Sequence, residues 1–397
     1  ASLTRWCTLF RLSLDRLDDS FARAQASGRT FNADPVFALQ GWVPAARAGE
    51  VRSYAEAECL AVTIAPPGPG DDPPTLLANA PPAASGQDLV QFYTTPGYRT
   101  WDPSNAVFFS FAVFFAMILS DAGYAVLLSL PLLLYWGRMG ASDLGRRLRA
   151  LFASLLAAAL VWGVMVGGYF GLDPPEGSLL AGLKVFTVND YEAMMAVSIT
   201  VGIVHLLIAN GAIAWRRRSE PRGLGAFGWV VMLLGGTALW LGYGGAGSGI
   251  PFAGRLVEAG PWLLGAGALL VLGFTAPHKR PLGRLLGGLL GLTGITSAFG
   301  DVLSYLRLFA LGLASASLAV AFNDLAGTVA DAMPGLGIFL ALLVLLIGHA
   351  LNLTLALMSG FVHGLRLNFI EFFRWCVPEE GHPFQAFARK AAPEPRE

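Results

Sequence analysis

Two arginines lie inside the last two apolar stretches of the chain, roughly residues 292–325 and 336–373. Arg307 is part of SYLRLFALGLASASLAV, and Arg366 follows His363 in LTLALMSGFVHGLRLNFIEFF. An ionised side chain in a membrane-embedded helix costs roughly 2.5–3.5 kcal/mol on insertion scales, so it usually faces protein or water. Two such arginines on successive helices predict one shared intramembrane site.

Polar side chains accompany each arginine on one face of its helix, because residues three, four and seven positions apart share a face. The stripes are Asn352, Ser359, His363 and Arg366 on the last segment, and Ser304, Arg307 and Ser315 on the one before. Such stripes can admit water and relay protons. Serine and asparagine can equally hydrogen-bond to neighbouring helices, which is the interpretation we favour for the single serines. His363 is interpreted either as a proton carrier or as a group that orients Arg366 one turn away.

Other candidates have plainer interpretations. His205 and His349 are single histidines in apolar runs and are expected to pack or hydrogen-bond, and Asp301 is a helix cap or the mouth of an aqueous path. Three glycines at four-residue spacing predict close helix packing: Gly163, Gly167 and Gly171. The sequence contains no Walker loop, no metal-ligand spacing and no nucleophile constellation, so neither a metal nor a cofactor nor catalysis within this chain is expected.

Composition predicts a membrane protein. Of 397 residues, 54% are hydrophobic and 14% charged, and the mean hydropathy is +0.56. The net charge is zero and no basic stripe is present, so no nucleic-acid partner is expected. The three cysteines are isolated, which indicates neither a disulfide framework nor a thiolate metal site.

Residues 1–100 contain no run long enough to span a bilayer. The opening WCTLFRLSLDRLDDSFARA predicts an amphipathic helix, one arm of a hairpin or coiled coil. Strands are predicted at 36–43 and 59–65 with a helix at 44–57 between them, which together form a small α/β cytoplasmic lobe. A Pro/Gly-rich linker with a domain boundary is predicted within 66–100.

A mainly α membrane domain is predicted over residues 101–377, followed by a cytoplasmic tail at 378–397. About eight membrane helices are expected, at 105–119, 121–137, 148–171, 192–215, 224–243, 259–276, 292–325 and 336–373. Every second loop is rich in arginine, which puts both termini in the cytoplasm. We expect a multi-pass protein of a prokaryotic plasma membrane.

The last two segments are too long for an upright helix. About 35 residues extend about 52 Å at 1.5 Å per residue, against a hydrocarbon core of about 30 Å. We therefore expect strongly tilted or interrupted helices. The segment 280–290 is a candidate to lie along the membrane interface.

The C-terminal motifs resemble a known family. SYLRLFALGLA (304–314) and HGLRLNFIEFF (363–373) resemble the membrane subunit a, or subunit I, of V-type and archaeal-type rotary ATPases. FFAMILSDAGYA (114–125) resembles the first hairpin motif of that family, and LQGWVP (39–44) its cytoplasmic lobe. The cytoplasmic part of the family is longer than the roughly 100 residues here, and residues 336–370 contain no carboxylate.

The resemblance implies a non-catalytic stator subunit that grips a rotating ring of proteolipid subunits in the lipid bilayer. Two aqueous half-channels would carry protons past the ring. Arg307 and Arg366 would ionise the ring carboxylates and prevent proton leak. Peripheral stalks would bind the cytoplasmic lobe, and ATP chemistry would occur on other subunits. The main alternative is a self-contained secondary transporter that binds an anionic substrate at the two arginines; it predicts an internal repeat, and the sequence shows no such duplication. A purely structural membrane anchor leaves both arginines unexplained.

Overall fold

The computed structural model describes residues 2–80, 83–188, 190–243, 253–276, 280–332, 335–377 and 379–388. It divides into two compact units, Ala1–Leu76 with Gly381–Glu397, and Leu77–Glu380. The elements of the first unit are α1 (Ser2–Ser27), β1 (Phe31–Ala33), β2 (Val36–Ala38), a 3₁₀ turn (Ala45–Arg47) and α2 (Ala48–Ala57). Those of the second are α3 (Ala84–Tyr93), α4 (Ser104–Leu119), α5 (Ala122–Leu134), α6 (Trp136–Met139), α7 (Asp143–Val166), α8 (Leu179–Gly182), α9 (Tyr191–Arg216), α10 (Pro221–Tyr243), α11 (Ala253–Phe274), α12 (Pro281–Leu292), α13 (Gly294–Ser304), α14 (Leu306–Ala332), α15 (Leu336–Arg366), a π-helix (Leu367–Phe372) and α16 (Phe373–Cys376).

The first unit contains less sheet than the sequence predicts. Its only described sheet is the antiparallel pair β1–β2, with Phe31 opposite Ala38. The predicted strand at 59–65 is wrong, since these residues form no strand in the described structure. Leu60 and Val62 are exposed there, and β-propensity alone forms no strand where no neighbouring chain accepts the ladder. The predicted helices in the opening and at 44–57 are present, the latter beginning later, as α2.

The predicted linker is partly helical. α3 occupies its C-terminal half and packs on α4 and α7. Ser85 donates to the carbonyl of Arg147 at 2.7 Å, and Arg147 pairs with Asp88 at 3.0 Å. The linker is predicted from the Pro and Gly residues that precede α3. The helix forms after them because Val90 is fully buried and anchors it in the unit.

α4 and α5 form an apolar hairpin of 16 and 13 residues. It turns at Ser120, which adopts a left-handed conformation with φ 46°, and Asp121 then caps α5 by accepting from the Tyr124 amide at 2.9 Å. A glycine would adopt this left-handed conformation at lower steric cost than Ser120 does. α4 and the first turn of α5 are largely buried inside the unit, with Phe111, Phe114 and Ile118 nearly inaccessible, whereas Leu133 and Leu134 at the end of α5 are exposed.

Six further helices, within the described residues, are long and apolar enough to cross a membrane. They are Asp143–Val166, Tyr191–Arg216, Pro221–Tyr243, Gly254–Phe274, Pro281–Ala332 and Leu336–Cys376. With the two shorter hairpin helices they correspond to the eight predicted segments, and the mainly α membrane class is confirmed.

The predicted glycine ridge is only partly helical. α7 ends at Val166, and Gly167 and Gly171 follow it with φ of 79° and 74°, in turns. Gly163 does pack closely, because a Cβ there would lie 2.3 Å from the Ala122 amide nitrogen. Of the three glycines, Gly163 therefore makes a close helix contact, and Gly167 and Gly171 lie in turns that need a positive φ.

We expect the two long C-terminal segments to be either strongly tilted or interrupted, and both are interrupted. The first consists of α12, α13 and α14, with breaks at Thr293 and Tyr305, and the second continues from α15 into the π-helix and α16. α14 and α15 pack against each other, and both contact α4. The breaks and the π-helix determine where the candidate polar residues lie.

Candidate functional site

Arg307 lies in the first turn of α14, directly after the break at Tyr305. It is not several turns from a helix end, as continuous helicity would suggest, although it remains deep within the span Pro281–Ala332. Tyr305 is fully buried, and its hydroxyl pairs with His205 Nδ1 at 2.8 Å. The His205 ring stacks on Phe372 with centroids 4.0 Å apart. The break that presents Arg307 is therefore held by α9 and by the π-helix.

The acidic partner of Arg307 is Glu371, in the π-helix. Arg307 Nη1 lies 3.9 Å from Glu371 Oε1, and the Glu371 side chain is 3% exposed. Both Arg307 Nη1 and Glu371 Oε2 are buried without a hydrogen-bond partner among the described residues. At 3.9 Å the contact is an ion pair without a hydrogen bond. It leaves the arginine able to hold a second acidic group.

Sequence reasoning missed Glu371. It lies five residues after Arg366, and a regular α-helix would place the two residues about 140° apart. The π-helix Leu367–Phe372 changes this, because its i to i+5 hydrogen bonds bring residues five apart onto one face. Asn368, buried in that segment, donates to Gly364 O at 3.0 Å and accepts from Ser110 on α4 at 2.6 Å. Nothing in the 3.6-residue periodicity signals such an insertion.

His363 and Arg366 belong to the same cluster. Arg366 is close enough to interact electrostatically with Arg307, His363 and Glu371. Arg307 interacts electrostatically with His363 as well. His363 is half-buried and Arg366 exposed, and His363 Nδ1 is buried without a hydrogen-bond partner within the described chain. The cluster thus combines two cations, one buried carboxylate and one histidine, a set that can bind an anionic group and exchange protons.

Ser304 and Ser359 flank this cluster. Ser304 donates to Gly300 O at 3.0 Å, the intrahelical bond expected of a single serine. Ser359 is half-buried one turn before His363 on α15. Asp301 lies at the other side, where its carboxylate accepts from Trp375 Nε1 at 2.7 Å and pairs with Arg374 at 3.7 Å. Asp301 therefore ties α13 to α16.

Asn352 and Ser315 lie in a separate polar network. Asn352 is 14 residues before Arg366, about 21 Å along the helix. Its amide nitrogen donates to Ser315 O at 2.9 Å and to the Tyr124 hydroxyl at 3.1 Å. Ser315 Oγ donates to Asn352 Oδ1 at 3.4 Å. The stripe read from the sequence therefore divides between two places in the structure.

His349 completes the second network. Asn323 Nδ2 donates to Phe170 O at 2.8 Å, so its Oδ1 faces His349 Nε2 at 3.0 Å as an acceptor. His349 Nε2 consequently carries the proton, and in the neutral ring Nδ1 accepts from the Tyr124 hydroxyl at 2.6 Å. This chain of bonds joins α5, α14 and α15. The hydrogen-bonding interpretation of His349 describes this geometry.

Comparisons with known proteins identify the family. The V-type ATP synthase subunit I of Chlamydia pneumoniae is 30% identical, across 88% of this chain and 60% of that protein. The A-type ATP synthase subunit I of Methanocaldococcus jannaschii is 27% identical, across 92% and 57%. The V-type ATP synthase subunit I of Chlamydia trachomatis is 28% identical, across 96% of this chain and 68% of that protein. The chain belongs to the V/A-type ATPase subunit a, or subunit I, family. No family model matches it.

The chain spans 57 to 68% of the length of these three curated relatives. Membership of the subunit I family agrees with the resemblance of the two arginine motifs and the hairpin motif. Within this family member, the arginine motifs SYLRLF and HGLRLN lie on the two elements that form the Arg307–Glu371 cluster.

Proposed function

We propose that this chain is the stator subunit of a prokaryotic rotary V/A-type ATPase and carries protons past a rotating ring of proteolipid subunits. The observation that supports this proposal most directly is the cluster of Arg307, Arg366, His363 and Glu371 within membrane-spanning helices. An intramembrane site of this charge is costly and marks an ion pathway. The other ATPase subunits hold the nucleotide sites, and peripheral stalks bind the N-terminal lobe.

Arg307 is the residue that we assign to the ring carboxylate. A nearby cation favours the ionised form of a carboxyl group, so an arriving ring site releases its proton opposite Arg307. The guanidinium stays protonated and therefore cannot itself pass the proton to the other side. Arg307 Nη1 lies 3.9 Å from Glu371, which is an ion pair without a hydrogen bond. This geometry suits an arginine that binds a second carboxylate. Arg366 supports the same charge from the next helix.

Two half-channels lead to this point in our proposal. Ser304, Ser359 and His363 line the path near Arg307. Ser315 lines it about 12 Å along α14 from Arg307, and Asn352 lines it about 21 Å along α15 from Arg366. Asparagine and serine would hold water there, since their side chains hydrogen-bond without changing charge. Both termini face the cytoplasm of a prokaryotic cell, and the protein crosses its plasma membrane.

The proposal is tested by Arg307→Gln in the purified complex reconstituted into vesicles. ATP-driven proton uptake, ATP hydrolysis and subunit assembly are measured separately. We expect an assembled complex that has lost proton uptake. Arg374→Gln is the matched control, because Arg374 is exposed and pairs with Asp301 at 3.7 Å rather than with Glu371. Normal uptake by the Arg307 variant would refute the assignment, and solute transport by this chain without partner subunits would favour the secondary transporter.

A further inference from the structure

A cavity of about 290 Å³ opens where α11 ends and α12 begins. It is lined by Leu269, Leu272, Gly273, Pro281, Arg284 and Leu285. Among these six lining residues Arg284 alone is charged. Both helices belong to candidate membrane spans, so the cavity lies at the end of a span, where the polar headgroups of a bilayer begin.

The Arg284 side chain is fixed at the edge of the cavity. Its Nε donates to the carbonyl of Gly273, and its guanidinium carbon lies 5.2 Å from the ring centroid of Phe274. Gly273 is in the last turn of α11, whose carbonyls have no helical partner, so Arg284 closes this helix end. A capping role uses one of the five guanidinium N–H groups. The four on the terminal nitrogens remain for a ligand.

The rest of the cavity surface suits hydrocarbon. Leu269 is 70% exposed and Leu285 is 52% exposed. A phosphate group at the arginine and an alkyl chain along these leucines would match charge with charge and apolar surface with apolar surface. Free phosphate would satisfy only the first of these contacts, whereas a phospholipid satisfies both.

We propose that this cavity binds one anionic phospholipid, with its phosphate on the terminal nitrogens of Arg284 and an acyl chain along Leu269, Leu272 and Leu285. The site is separate from the Arg307–Glu371 cluster and does not depend on the proton-translocation proposal. The lipid would bridge α11 and α12 and so hold the start of the interrupted span against the α10–α11 pair.

The test titrates the purified complex in mild detergent with short-chain phosphatidylglycerol and measures bound lipid by native mass spectrometry. Arg284→Gln should weaken binding by about tenfold or more, because a hydrogen bond to a charged group is lost. Arg218→Gln is the matched control, since Arg218 also lies over an aromatic ring, 4.6 Å from that of Trp215, near a helix end. The control should bind as the parent protein does.

A second variant protects the test against misfolding. Leu269→Trp fills the cavity from an exposed position and leaves Arg284 in place, and it should also lose phosphatidylglycerol binding. Unchanged binding in both variants would overturn the proposal. If millimolar inorganic phosphate displaces the lipid, and phosphate alone binds as tightly as phosphatidylglycerol does, the cavity is a simple anion site and the lipid proposal is refuted. Equal affinity for phosphatidylcholine would refute the selectivity for an anionic lipid.

Discussion

Tyr124→Phe tests the buried network that joins the hairpin to the last two helices. Tyr124 is 1% exposed, and its hydroxyl bonds to His349 Nδ1 at 2.6 Å and to Asn352 Nδ2 at 3.1 Å. After the change Asn352 still donates to Ser315 O, but His349 Nδ1 has lost the partner that the structure gives it. An unsatisfied buried group costs about 1–3 kcal/mol, whereas single hydrogen bonds between membrane helices average about 0.6 kcal/mol. We expect a loss of about 1–2 kcal/mol.

The assay is the free energy of unfolding, from denaturation in mixtures of SDS and mild detergent. Tyr135→Phe is the matched control, because Tyr135 is 53% exposed, and it should change stability little. His349→Leu, alone and combined with Tyr124→Phe, completes a double-mutant cycle. Two residues joined by one hydrogen bond should couple by more than the roughly 0.3–0.5 kcal/mol seen for independent sites. Additive effects would refute the network.

Three further changes follow from the geometry. Glu371→Gln removes the acidic partner of Arg307, 3.9 Å away, and should lower ATP-driven proton uptake severalfold in an assembled complex; uptake equal to that of the parent complex would contradict this. Gly163→Ala places a Cβ 2.3 Å from hairpin backbone, so it should cost about 1–3 kcal/mol or more in SDS unfolding, and an unchanged midpoint would refute the packing. Burial raises the pKa of Asp88 against the opposing charge of Arg147. Ionised Asp88 is therefore disfavoured in the folded state, and its contribution to stability declines as pH rises through the folded-state pKa. Asp88→Asn should gain thermal stability relative to the parent protein as pH rises from 3 to 7, and a gap that moves the other way would exclude this sign.

The membrane class and the helix positions were predictable because apolar length is a strong signal. Runs such as 192–215 and 336–373 are too long and too apolar for other uses, and the described helices α9 and α15 lie within two residues of these starts. The strand at 59–65 failed for a different reason. A short apolar run states a preference, and the partner that would make it a strand must come from the rest of the fold.

The two arginines could be found from the sequence, whereas their acidic partner could not. Arg307 is conspicuous because a charge is rare in such a helix. Glu371 lies beyond the stripe of α-helical spacing, and only the π-helix turns it toward Arg307. The break at Tyr305 was equally hidden, because it depends on a hydrogen bond to His205, 100 residues earlier in the chain.

The network around His349 illustrates a further limit. Helical spacing placed Asn352 and Ser315 on the same stripes as the arginines, but a stripe of 14 residues extends about 21 Å and can serve two sites. Tyr124 and Phe170 come from other parts of the chain, and their contacts decide which site each polar residue joins. Spacing within one helix contains no information about those contacts.

The most direct test of the central claim is disulfide formation between this chain and the ring. Ala310 and Ala314 are exposed, one and two turns after Arg307 on its face of α14. Ala310→Cys or Ala314→Cys should cross-link to a cysteine beside the ring carboxylate, since a disulfide requires Cβ atoms about 3.5–4.5 Å apart. Leu269→Cys, exposed on α11, is the control and should not cross-link. A ring that cross-links only to the control position would contradict the placement of Arg307 at the ring.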